Sequence, residues 1–216
     1  MRYKISKGEL AQAQVALLVA VALQVAALNF HSVSFSAPKY LLIGTEIGVA
    51  VLLVLTITSR SSVFRRLHKL LTALLLGFIS FANMLSLGFV LKDLIITHAS
   101  FSGTELLISA IAIFLTNIIV YALWYWEIDS PGLSSAKWSK HDKDFQFTQQ
   151  DLKSDFKDWH PQFIDYMYVS VTNAINFAPA DARPLTHQAK VLMASQSLTS
   201  VFTLALVVAR SVSILN

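Results

Sequence analysis

The sequence predicts an all-α polytopic membrane protein with five transmembrane helices and a re-entrant or interfacial half-helix before the last one. Three observations carry this. Of the 216 residues, 55% are hydrophobic and only 14% charged, whereas a soluble domain carries about 25% charged residues. Five stretches reach the roughly 20 apolar residues that crossing hydrocarbon requires. Just before the last of them, Asp165–Asp181 is too polar at its end to cross and too apolar at its start for an ordinary loop.

The first span, Leu10–Phe30, follows Arg2, Lys4 and Lys7 and so resembles a signal peptide at its start. Its apolar core is too long for a signal sequence, and the nearest small-residue site, Ser34–Ser36, runs into Pro38. It is read as a retained anchor. Lys39–Thr58 and Leu67–Leu91 supply the second and third spans. Thr104–Trp126 is the fourth, and its ending in Trp124, Tyr125 and Trp126 fits an aromatic belt at the membrane interface. Val191–Leu215 is the last.

These spans divide the chain into a four-helix transmembrane region (1–126), a charged cytoplasmic linker (127–161) and a half-helix with the final span (162–216). The linker opens with the turn signal Asp129-Ser-Pro-Gly132. Its mixed charges read as a solvated connector, with Lys153–Trp159 as a short surface helix presenting Phe156 and Trp159 on one face.

Orientation follows from Lys and Arg in short loops. Of the 17 basic residues, all but Lys39, Lys92 and Arg210 fall at the N-terminus, in Arg60–Lys69 or in Glu127–Lys190. Those segments are therefore expected in the cytoplasm of a cell with the protein in its plasma membrane, and the C-terminus outside. The net charge of +4 marks topology, not a nucleic-acid partner.

The function classes excluded are equally plain. No cysteine is present, which removes thiol catalysis and thiolate metal sites. The six histidines are scattered, without His-x-x-x-His or Glu-x-x-His spacing. Neither a Gly-rich phosphate loop nor a serine-nucleophile elbow occurs. The expectation is a non-enzyme without metal or cofactor, whose partners are the bilayer and further copies of itself.

Phe163 to Thr172 is mostly apolar or aromatic. Ten helical residues span about 15 Å, half a bilayer. Pro161 suits the helix start, and Pro179 discourages continuation past Thr172, Asn173 and Asn176. Backbone carbonyls freed by such a break survive only in a protein-lined or watery cavity. Oxygens converging in a cavity are the material of cation sites. The other reading is an amphipathic helix lying on the cytoplasmic surface.

Tyr166-Met-Tyr-Val-Ser-Val-Thr172 resembles the pore helix of two-transmembrane potassium-channel-type domains. Asp181 resembles the acid that closes their filter, and Pro184–Lys190 resembles the start of their inner helix. A wider stretch, roughly 121–214, is similar to a family of uncharacterised bacterial integral membrane proteins related to that pore type. Its marks here are Trp124-Tyr-Trp-Glu127, Asp144-Phe-Gln-Phe147 and the Asn-x-x-x-Phe-x-Pro-x-Asp-x-x-Pro-Leu-Thr pattern from Asn173 to Thr186. The resemblance implies a homo-oligomer, a tetramer by analogy, passing monovalent cations along oxygens of Thr172, Asn173 and Asn176, with Asp181 concentrating cations. The chain departs from the pattern in one decisive place: Thr172-Asn-Ala-Ile-Asn-Phe177 holds no glycine. A potassium filter uses glycines to turn its carbonyls inward. Entry from the cytoplasm is a second departure, nearest to the inverted pore loop of ionotropic glutamate receptors.

Inside the spans, Gln196, Ser200 and Thr203 share one face of the last helix and are candidates to line a path. Glu46 and Arg210 fall in the same leaflet and are expected to pair across helices, a pair that a small-solute transporter subunit would also use. Gln24, Asn83 and Asn117 read as hydrogen-bonding glue between helices. The leading functional expectation is an ion-channel-like membrane protein with a glycine-free filter. The alternative is a non-conducting scaffold or assembly protein that keeps the pore architecture.

Overall fold

The computed structural model describes residues 6–30, 62–92, 103–129, 143–152, 155–157, 159–176, 178 and 181–215. The expected second span, Lys39–Thr58, and the Glu46–Arg210 pairing lie outside the described residues. The chain is mostly helical. In order it forms α1 (Lys7–Phe30), α2 (Ser62–Lys92), α3 (Gly103–Asp129), β1 (Phe145–Phe147), α4 (Thr148–Asp151), α5 (Phe163–Asn176), β2 (Ala182–Pro184) and α6 (His187–Leu215). Four of these helices, α1, α2, α3 and α6, are long and apolar enough to cross a membrane.

Helix α3 is the axis of the fold, with α1, α2, α5 and α6 all packed on it. Burial follows from that position: Tyr125, Trp126 and Ala122 are fully enclosed. Trp124 is half-buried and its indole N–H donates to Ser80 Oγ at 3.1 Å. Tyr125 and Trp126 therefore face neighbouring helices, because the helix that carries them is covered from several sides.

Local chemistry sets the helix starts. Ser6 Oγ accepts the Glu9 N–H at 3.0 Å and opens α1. Thr186 Oγ1 accepts the Ala189 N–H at 3.2 Å and opens α6. At α5 the first-turn acid reaches back, Gln162 N–H donating to Asp165 Oδ2 at 2.7 Å.

The linker contains structure that its charge pattern conceals. β1 and β2 pair antiparallel, with Phe145 opposite Pro184 and Phe147 opposite Ala182. Alternate residues of a strand point to one face, so Phe145 and Phe147 enter the core together, at 0% and 1% exposure. Residues 143–152 are thus a built part of the fold and not a solvated connector. The Lys153–Trp159 helix is not formed in the described residues, where 155–157 make turns and Trp159 packs on Phe147 at 5.6 Å between ring centres.

Candidate functional site

The expected half-helix is present as an element, α5, but it is longer than ten residues and runs to Asn176. Pro179 restricts chiefly the residue before it, so the helix continues through Thr172 and Asn173. Thr172 is buried, and its hydroxyl donates to the Tyr168 carbonyl one turn back at 2.9 Å.

Asn173 leads into a buried polar network. Its amide nitrogen donates to Gln196 Oε1 at 2.7 Å and to the Met193 carbonyl at 3.0 Å. Gln196 Oε1 also accepts the Tyr125 hydroxyl at 2.5 Å. The Gln196 amide nitrogen donates to Ser170 Oγ at 2.7 Å and to the Ser170 carbonyl at 3.0 Å. Ser170 in turn donates to the Ile118 carbonyl on α3 at 2.6 Å. Two donors and two acceptor positions are what a glutamine amide has, and all four are occupied. A satisfied network of this kind fixes one arrangement of α3, α5 and α6.

A second layer continues the same seam. Asn117 donates to Ser200 Oγ at 2.9 Å and to the Gln196 carbonyl at 3.3 Å. Tyr121 OH and Ser195 Oγ share a hydrogen bond of 2.8 Å. Thr203 is fully buried and its hydroxyl donates to the Thr199 carbonyl of its own helix at 2.7 Å. Asn83 links α2 to the Ile113 carbonyl on α3 at 3.2 Å. Gln24 is buried on α1, and neither atom of its amide has a hydrogen-bond partner among the described residues.

The structure therefore joins Asn173 with Gln196 directly, and Ser200 through Asn117. Asn176 stands apart, exposed at the end of α5. Asp181 is half-buried beside the β1–β2 ribbon, where its carbonyl accepts Thr148 N–H at 3.0 Å.

Where α5 begins, Asp129 ties three segments together, and sequence reading assigned it only to a turn. This carboxylate is 2% exposed. Oδ1 accepts the backbone N–H of Asp144 at 2.6 Å and of Phe145 at 2.9 Å, and Oδ2 accepts the Tyr166 hydroxyl at 2.6 Å. Asp144 bonds the Thr186 hydroxyl, and its carbonyl accepts Leu185 N–H at 2.8 Å. Around this point Tyr125, Phe145, Tyr166 and Phe147 pack edge to face, with centroids 5.2 to 6.3 Å apart. The acids gathered here suit their helices, since Glu9 and Asp165 lie in first turns, where the helix dipole favours negative charge. Burial pushes the Asp165 carboxyl up; the Gln162 N–H opposes this, and nearby Asp181 and Glu9 add to it. Among the described residues no group of His, Cys, Asp and Glu is placed to hold a metal ion.

Asp129 and Tyr166 carry no motif in the sequence that announces this cluster. Segments far apart in sequence do meet here: Tyr125 packs on Phe145 and accepts the Asn173 amide, and Thr186 bonds Asp144. Compared with protein-family models, with curated proteins and with solved structures, the chain finds no match.

Proposed function

We propose that the protein is a multi-pass membrane protein of pore-loop design whose half-helix is a structural pin, and that it works as a non-conducting scaffold or assembly partner. In this reading the apolar stretch 39–58 completes five spans. The N-terminus and the β1–β2 ribbon lie in the cytoplasm, the C-terminus outside, and α5 dips into the inner leaflet. Depth supports the dip. Ser170 meets the Ile118 carbonyl, eleven residues before Asp129 and so about 16 Å along α3. Asn173 meets the Met193 carbonyl, about 9 Å along α6 from its start.

The observation that carries the non-conducting reading is the use of the candidate ion ligands. Asn173, Gln196 and Ser200 spend their polar groups on one another, on α5 and on α3, and the Thr172 hydroxyl bonds carbonyls of its own helix, all within a single chain. Groups committed in this way are not free to replace the hydration shell of an ion. One observation favours a conducting oligomer: Asn176 is exposed, which leaves it and Asp181 as the oxygens a shared cation path would use. Planar-bilayer recording of the purified protein under sodium and potassium gradients separates the two. Scaffold function predicts no unitary current. Unitary currents altered by Asn176→Ala would overturn it.

A further inference from the structure

We propose that the buried amide of Gln24 is the partner of Glu46, and that this pair docks the apolar stretch 39–58 against α1. This rests on the five-span reading. The path of the chain calls for a return. Glu9, at the start of α1, accepts the Trp126 indole N–H near the end of α3 at 3.0 Å. The two helices pack closely on each other, so they run antiparallel. Helix α2 also runs against α3: from Ser80 to Asn83 its hydrogen bonds move back from Trp124 to Ile113. Two helices antiparallel to a third are parallel to each other. Phe30, which ends α1, and Ser62, which starts α2, therefore lie at opposite ends of the bundle. The connection between them has to travel its length, and a helix of about 20 residues covers about 30 Å.

Gln24 marks where the connection docks. It is 1% exposed, and neither Nε2 nor Oε1 has a hydrogen-bond partner among the described residues. An amide left so is costly, and hydrocarbon has no water to relieve it. Gln24 lies about 9 Å before the end of α1. Glu46 lies about 10 Å past the start of 39–58. A chain that turns back between them brings both to one depth. Glu46 is the one carboxyl in that stretch, and at such depth it needs a partner as much as the amide does. Uncharged, it has one O–H donor and a carbonyl acceptor, and a primary amide has both. A single face-to-face pair therefore satisfies both atoms of Gln24.

Thermal unfolding in detergent tests this with Gln24→Leu, Glu46→Leu and the double variant. Gln24→Leu alone should lower the unfolding temperature, because it strands the carboxyl. Made on Glu46→Leu it should leave the temperature unchanged or raise it, since it then removes an amide with nothing to bond. Equal shifts in both backgrounds overturn the pair, as does a rise from Gln24→Leu alone. Coupling of Glu46→Leu to Arg210→Leu instead also overturns it. The chain has no cysteine, which gives an independent measurement. Gln24→Cys with Glu46→Cys should lose its thiols to an oxidant several-fold faster than Gln24→Cys with Val54→Cys; equal rates overturn the docking. A membrane-impermeant maleimide on intact cells tests the span itself. If it labels Ser36→Cys and not Ser61→Cys, the five-span reading stands even where the pair fails. If it labels both or neither, the crossing falls and the pair with it.

Discussion

Gln196 shows what a single amide does when it is placed between membrane helices. Unpaired in hydrocarbon it is costly; here each of its four hydrogen-bonding positions meets a partner on α3 or α5. Gln196→Leu would leave the Tyr125 hydroxyl, the Ser170 hydroxyl and the Asn173 amide short of partners at once. The expected loss is about 1–3 kcal/mol, read as a lowered unfolding temperature in detergent. Asn173→Leu acts on the same network, so the double variant should lose clearly less than the two single losses together. Strict additivity would mean that the two amides are energetically separate. The spacing of Gln196, Ser200 and Thr203 revealed their common face in the sequence. It could not reveal what that face meets, because Ser170, Asn117 and Tyr125 arrive from two other elements.

At the scale of elements, α5 is held at both ends: by Asp129 and its first-turn acid at the start, and by Asn173 near the finish. Asp165 gives this a dependence on pH. Its folded pKa lies above the ordinary aspartate value of 3.8. Between those two values the folded protein keeps a proton that the unfolded chain has released. The stability from this group is therefore fully present below the ordinary value and is lost as pH rises through the folded one. Asp165→Asn keeps an acceptor for the Gln162 N–H and removes the titration. Its unfolding temperature should fall less than that of the wild type as pH rises through that window; equal slopes would show that other groups set the dependence. Much of α5 was legible: an apolar run behind Pro161, ended before Pro179. Its last turn was not, since nothing local announces that Asn173 will be anchored by α6. The β1–β2 ribbon was hidden for a different reason. Three-residue strands are too short for periodicity to stand out, and the Phe-x-Phe alternation lay inside a highly charged segment.

For the whole molecule, the apolar runs were the reliable signal, and four of the five expected spans stand as helices suited to crossing a membrane. Helix length and composition do not give direction. The distribution of Lys and Arg does, and it predicts that reporter domains fused at the N-terminus and after Asn216 fall on opposite sides, the first in the cytoplasm. Finding both on one side would change the span count; finding them exchanged would reverse the reading of the charges.

The seam between α3 and α6 also bears on the order in which the protein is made. Asn117 and Tyr125 emerge from the ribosome about 70 to 80 residues before the partners they meet on α6. Until α6 arrives they must rest against lipid headgroups, other helices or the insertion machinery. The half-helix waits as well, because Gln196 follows Asn173 by 23 residues. Docking of α5 against α6 therefore waits until α6 has been made. A chain interrupted before α6 would leave its most polar helix faces open in the membrane, a feature by which quality control can tell an unfinished molecule from a complete one.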